Sequence, residues 1–323
     1  MTKIKKQIKL ITKNFFSFAL PTRFIISIVK KWADTGENSD KCLKKGFLPV
    51  PVHFYHSIPD IKDLEERKVW DKVSPLSGIS FEPQKYLNTI KYLGKKYSSE
   101  CSWPNEPTKD ENLFYLNNSS FSYGCAAVLH SIIREFKPKR IFEIGSGNSS
   151  KIIYGAIKMN EVSSEEVDYV IIDPFCNIDV DTSYKNTKIY KKKIEDMEID
   201  FFKQLNDRDI LFIDSSHMSK IGSDVNFEIL EILPILNKGV LVHFHDINLP
   251  YEYPKVYATK SNFRVFWNES YLLQSFLTFN NSYEILLPMA YVQREFGDEF
   301  RKSFPESNKT SNYASGSFWI RRT

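Results

Sequence analysis

The chain has 323 residues, 15% of them aromatic, enough material for one large packed domain with a substantial extension. Its net charge of +4 is unevenly placed: residues 1–50 hold eleven Lys or Arg against three acids, about +8, which leaves about −4 for residues 51–323. A mildly acidic body argues against a nucleic-acid-binding surface, and four scattered cysteines without a CxxC spacing argue against structural zinc or a disulfide framework.

Residues 1–32 hold eight basic residues and no acid. Their apolar runs, 15–20 and 24–29, are split by Pro21 and Arg23 and fall short of the ~20 residues that span a bilayer. No small-residue cleavage pattern follows them, so no signal peptide is expected. The pattern fits a cationic amphipathic segment on an anionic membrane face, or a basic helix packed on the body. The expectation is a cytoplasmic protein with peripheral contact at the inner membrane face through residues 1–32. Residues 33–48 read as a polar linker, which closes an N-terminal segment 1–48. Residues 49–118 carry Pro49, Pro51, Pro59, Pro75 and Pro83 among aromatic residues, then a helical stretch near 81–97. They read as a cap or arm on the main domain, 119–323.

From Phe121 onward the pattern becomes regular. Apolar spacing predicts a helix over 126–136 that stops at Lys137-Pro138. Strands are predicted at Arg140–Ile144, Asp168–Ile172, 188–194, 209–213 and 239–244, with two more at 283–287 and 316–320. Helices are predicted from the first strand through Met159 and over 224–233, the latter capped by Ser223 or Asp224 and stopped by Pro234. Short apolar strands alternating with helices predict a parallel α/β sheet. The polar residues of functional type all fall at carboxyl ends of strands, where open α/β sheets bind ligands.

The first strand ends in Glu143 and runs into Gly145-Ser-Gly147, followed by Asn148, Ser149 and Ser150. A glycine turn lets backbone approach a charged ligand and aims helix N–H groups at it. Two nucleotide readings compete. A dinucleotide site wants Gly-x-Gly-x-x-Gly/Ala with an acid about 20 residues on; here the third position is Ser150, and Asp173 comes later than that spacing asks. Glu143, two residues before the first glycine, suits instead the amino group of an amino-acid moiety. That favours S-adenosylmethionine, with Asp173 on its ribose.

These residues resemble the class I S-adenosylmethionine-dependent methyltransferases. The nearest branch is the bacterial one grouped with macrolide and sugar O-methyltransferases and cephalosporin-hydroxylase-like proteins. The likeness runs from about Pro49 to Arg322. It rests on Phe54-Tyr-His-Ser-Ile-Pro-Asp60, Phe142-Glu-Ile-Gly-Ser-Gly-Asn-Ser-Ser150, Leu211-Phe-Ile-Asp-Ser-Ser-His217, Gly222-Ser-Asp-Val225, Gly239-Val-Leu-Val-His-Phe-His-Asp-Ile247 and Trp267-Asn-Glu-Ser-Tyr271. The resemblance implies a doubly wound, Rossmann-like sheet of seven strands, mostly parallel with the last antiparallel, behind an N-terminal extension. It implies that Glu143, Gly145, Gly147 and Ser149 hold the methionine end, Asp173 the ribose and Asp196 the adenine side, with Asp214 beside the cofactor. One departure stands out: relatives often carry an acid where this chain has Cys125, in Ser122-Tyr-Gly-Cys125.

Methyl transfer needs alignment and, for a hydroxyl acceptor, removal of a proton. Asp214 and His217 follow the fourth strand; His245 and Asp246 follow the fifth. These four are expected to converge, with His217 or His245 as proton acceptor, or with Asp214 and Asp246 holding Mg or Mn against the acceptor oxygen. His245 stands where some relatives have an acid, which weakens the metal option or favours a softer ion. His243 reads as structural and Asp224 as a helix cap; Trp267, Glu269 and Tyr271 read as acceptor-pocket lining or, as is more usual for aromatic residues at helical spacing, core. The resulting expectation is O-methylation of a hydroxylated small molecule or sugar. An oxidoreductase or hydroxylase on the same sheet, or a non-catalytic protein keeping the fold, are the alternatives.

Overall fold

The computed structural model describes residues 21–161, 166–178, 187–260 and 264–323. It divides the chain into a first unit ending at Arg67 and a second, Lys68–Thr323. The boundary thus falls inside the segment 49–118, read from sequence as a cap or arm on the main domain. The reason lies in the helix Pro83–Tyr97, whose Tyr86, Ile90, Leu93 and Tyr97 are buried in the same apolar core as the sheet.

In the first unit the helix Thr22–Thr35 buries none of its residues, and Phe24, Ile25, Ile26 and Val29 are exposed. The rest of the basic segment, residues 1–20, lies outside the described residues. Among the described residues no helix is long and apolar enough to cross a membrane.

The second unit is organised on seven strands: β1 (Arg140–Ile144), β2 (Asp168–Ile172), β3 (Thr187–Tyr190), β4 (Ile210–Ile213), β5 (Leu241–Phe244), β6 (Tyr283–Pro288) and β7 (Phe318–Arg322). Their spatial order is β3-β2-β1-β4-β5-β7-β6. β1 to β5 pair in parallel, and β7 alone runs antiparallel, to both β5 and β6. This is the doubly wound sheet expected, with its last strand reversed. β1, β2, β4 and β5 each carry four consecutive buried residues, as strands covered on both faces must. Strand order reverses between β1 and β4, and the crevice at such a reversal is where this architecture takes its ligand.

Two elements differ from expectation for physical reasons. β3 ends at Tyr190, and Ile194–Asp196 forms a separate 3-10 turn. The helix predicted over 224–233 begins as α at Asp224–Asn226 and widens into a π-helix, Phe227–Ile232. Its cap is Ser223, which accepts the Asn226 N–H. Wide turns of this kind gather at functional sites; here the turn places Glu228, fully buried, against the Ser215 hydroxyl, which donates to it at 2.9 Å.

Candidate active site

The glycine turn after β1 forms the floor of a cleft. Gly145 has φ +78°, and a Cβ there would lie 2.0 Å from the Asp214 carbonyl oxygen, so the turn and the end of β4 touch backbone to backbone. A Cβ on Gly147 would meet nothing within 4 Å, so there the turn faces open space. The cleft has a volume of about 620 Å³, and Gly145, Ser146, Asp173, Glu195, Asp214 and Ser216 are among its walls. Asp173 braces the turn from β2: one carboxylate oxygen accepts the Ser146 N–H at 3.1 Å and its hydroxyl at 2.5 Å. The other accepts the Phe175 N–H at 2.7 Å.

Two of the expected cofactor contacts are redirected, and a third is shifted by one residue. Glu143 is wholly buried and absent from the cleft wall. It accepts hydrogen bonds from Ser149 at 2.7 Å, from Ser150 at 2.8 Å and from the Tyr169 hydroxyl, which tie the start of the helix Asn148–Glu161 to β1 and β2. Ser149, expected at the methionine end, gives its hydroxyl proton to Glu143. Asp196 is exposed outside the cleft, and its neighbour Glu195 faces in. The expected pattern placed one acid too late in the 3-10 turn.

The four strand-end residues do converge. His217 Nε2 lies 3.3 Å from Asp214 Oδ1 and 3.8 Å from Asp246 Oδ2, while His245 Nδ1 lies 3.6 Å and 3.5 Å from the same two oxygens. Both histidines are nearly buried, at 6% exposure each. His217 has φ 58° and Asp246 φ 56°, both in the left-handed region that non-glycine residues avoid. Strain of this kind is held only where surrounding contacts over-determine it, and it gathers at functional sites.

Residues 142–247, about a third of the chain and the stretch from β1 to the end of β5, match a protein family described as a methyltransferase domain. This stretch, similar to a methyltransferase domain, holds the glycine turn and all four strand-end residues. An uncharacterized protein of Archaeoglobus fulgidus is 26% identical over 182 residues, covering 53% of this chain and 79% of that protein. Among solved structures, the SAH-bound Podospora anserina methyltransferase PaMTH1 is 13% identical over 81% of this chain and 95% of its own, with a TM-score of 0.32. The cyclase SpnF is 10% identical over 72% and 96%, with a TM-score of 0.33. Neither structural likeness adds weight to the family match.

Within the methyltransferase domain, burial and charge set the protonation of the strand-end cluster. Burial by itself lowers His217, but hydrogen bonds to Asp214 and Glu269 outweigh it and push the imidazole up to about 10. His245 is likewise lowered by burial, yet the charges of Asp214, Cys125 and Asp246 hold it well above the ordinary value. Burial raises Asp214 and Asp246, and the two histidines more than reverse this, so both carboxyls stay below their ordinary range. At neutral pH the resting cluster is two imidazolium–carboxylate pairs. The carboxylates expected to hold a metal are thus already matched by protein cations, and among the described residues no group of three His, Cys, Asp or Glu is placed to hold one. These residues give the metal reading no support.

The domain also recruits residues that sequence patterns assigned elsewhere. Glu269, read as acceptor-pocket lining or core, is fully buried and accepts the Nδ1–H of His217 at 2.7 Å. Trp267 lies against the same imidazole, ring centroids 4.4 Å apart. An acid at the start of an otherwise apolar helix was the available signal. Cys125 reaches His245 from the helix Tyr123–Phe136. Asp224, read as a cap, accepts the Ser216 N–H at 2.9 Å and so supports the loop after β4. His243 is structural as expected: it stacks on Phe212 with centroids 4.1 Å apart, and its Nε2 meets Ser317 Oγ at 3.1 Å.

Proposed function

We propose that this chain binds S-adenosylmethionine in the cleft between β1, β2 and the loops after β3 and β4, and transfers its methyl group to a hydroxyl oxygen held at the His217–His245–Asp246 cluster. The observation that carries this reading is Asp214. It forms part of the cleft wall and pairs with both histidines, so cleft and cluster share one carboxylate. The acceptor class, a hydroxylated small molecule or sugar, follows from the sequence resemblance.

The bound cofactor supplies an electrophilic methyl on a sulfonium. Asp173 holds the turn open from one side, and Gly145 lets the backbone close in from the other. Glu269 fixes His217 through Nδ1, which leaves Nε2 pointing at the two aspartates. With both imidazoles protonated at rest, neither is a base until a positive charge enters the cleft. The bound cofactor would supply such a charge in the cleft that Asp214 lines, and Asp214 would then give less support to the histidine protons. One imidazole then becomes able to accept the acceptor's proton, a role worth 10²–10⁴-fold in rate.

The test is calorimetric titration with S-adenosylhomocysteine, followed by labelled-methyl transfer to a panel of hydroxylated acceptors. Micromolar binding and transfer to oxygen are expected. Failure of the wild-type protein to bind S-adenosylhomocysteine would overturn the reading.

A further inference from the structure

Cys125 lies in the first turn of the helix Tyr123–Phe136 and is 1% exposed. Its Sγ is 3.4 Å from His245 Nε2 and 3.2 Å from Ser315 Oγ. The other nitrogen of the same imidazole, Nδ1, faces Asp214 and Asp246. Phe121 stacks on the ring with centroids 5.2 Å apart and planes 21° apart. The imidazole is therefore held by a sulfur on one edge, a ring on one face and carboxylates on the reactive edge.

We propose that Cys125 is a positioning residue of the transfer centre: its sulfur anchors Nε2 of His245, so that Nδ1 is the nitrogen presented to Asp214, Asp246 and the acceptor. This rests on the reading of the strand-end cluster as the transfer centre. Without the anchor, a half-turn about the Cβ–Cγ bond would exchange the ring's edges and present a carbon where Nδ1 now stands. The pairing also suits a sulfur electrostatically. The thiol stands at a helix N-terminus, where negative charge is favoured, and faces an imidazole that carries a proton. Burial raises the thiol, but the charge and hydrogen bond of His245, with hydrogen bonds from Ser122 and Ser315, together bring it down to about 7.

The charged and titratable groups around the pair come from every neighbouring element. Asp246 and His243 lie on and after β5, the latter with its ring 5.9 Å from that of His245. Asp214 and His217 follow β4, and Tyr257 lies on the short helix Lys255–Thr259. An acid at position 125 would be charged throughout the neutral range. A thiol at about 7 makes the anchor's charge change within it.

The experiment compares the wild type with Cys125→Ser, Cys125→Ala and His245→Gln. Thiolate ultraviolet absorption against pH, taken as wild type minus Cys125→Ser, is expected to show a midpoint near 7. In His245→Gln it should move up towards the ordinary thiol value of roughly 8.5. Nitrogen NMR of histidine-labelled protein should show the His245 Nε2 resonance displaced in Cys125→Ala and largely restored in Cys125→Ser. Turnover should fall about tenfold in Cys125→Ala, in kcat more than in KM, and the pH–rate profile should lose its inflection near neutrality. A wild-type thiol that titrates at its ordinary value, with a His245 resonance indifferent to Cys125→Ala, overturns the proposal. Absence of S-adenosylhomocysteine binding in the wild type would sink the methyltransferase reading separately, because neither the thiol titration nor the resonance depends on it.

Discussion

On the β1–β2 side of the strand-end face, the site is a backbone structure: a glycine turn braced by the Asp173 carboxylate and open to a cleft. On the β4–β5 side it is a side-chain structure: two histidines and two aspartates, with Glu269 and Cys125 reaching in from elements far away in sequence. The first side achieves its shape with one residue type that has no side chain. The second stores charge in a buried place, where any missing partner leaves an uncompensated ion. On the proposed function the difference matches two tasks, since a cofactor must enter and leave while an acceptor's proton needs one fixed recipient.

The sharpest way to break this comparison is Gly145→Ala. The added carbon would sit 2.0 Å from a backbone oxygen of the β4 loop, at a φ of +78° that alanine resists. Neither the turn nor the strand end can yield cheaply, so a stability loss of about 4 kcal/mol is expected, at the upper end for single substitutions. Urea unfolding measures it. A loss below ~1 kcal/mol would mean that the two sides are not in backbone contact, and that the shared wall at Asp214 is drawn wrongly.

How much of this was readable in advance follows the same division. β2 and β4 carry unbroken apolar runs, β1 and β5 are interrupted only by Glu143 and His243, and each run stops at a polar residue or a glycine turn, so both the strands and their functional ends were legible. The convergence of His217, His245, Asp214 and Asp246 followed from sheet order alone. Ser315 was not legible as a site residue, and Glu269 and Cys125 were marked only by an acid opening an apolar helix and by a departure from relatives, because nothing local says which histidine a buried acid or thiol will meet. Glu143 shows a sequence reading and a fold contact pulling apart. Its position in the motif pointed to a ligand, yet Ser149, Ser150 and Tyr169 supply all the donors it needs within the fold.

That makes Glu143 the second lever, because it decides whether the acid of the turn belongs to the cleft or to the core. Burial outweighs its hydrogen bonds and raises its carboxyl from about 4.5 to about 7. The folded state therefore holds a proton that the unfolded chain releases between those values. Its contribution to stability is fullest below pH 4.5 and is lost as pH rises through 7, a decline of up to about 3 kcal/mol. Glu143→Gln should flatten this part of the stability–pH curve while leaving S-adenosylhomocysteine affinity nearly unchanged. An unaltered slope, or a collapse of affinity, would return Glu143 to the ligand.

The smallest expected effect concerns the cleft's polar wall. Asp173 is part of the wall and binds the turn through Ser146, whereas Asp196 points away and Glu195 takes its place. Asp173→Asn removes a charged acceptor from two hydrogen bonds at Ser146, each a contact of the kind worth roughly 1.5–3 kcal/mol. A weakening of S-adenosylhomocysteine binding of about tenfold is the modest end of that range. Asp196→Asn should shift affinity by less than about twofold, and Glu195→Gln should fall between the two. Should Asp196→Asn weaken binding as much as Asp173→Asn, the 3-10 turn Ile194–Asp196 would have to rotate by one residue on binding. The cofactor side would then be shaped by its ligand, and the contrast between a preformed backbone cleft and a preformed charge cluster would hold only for the catalytic side.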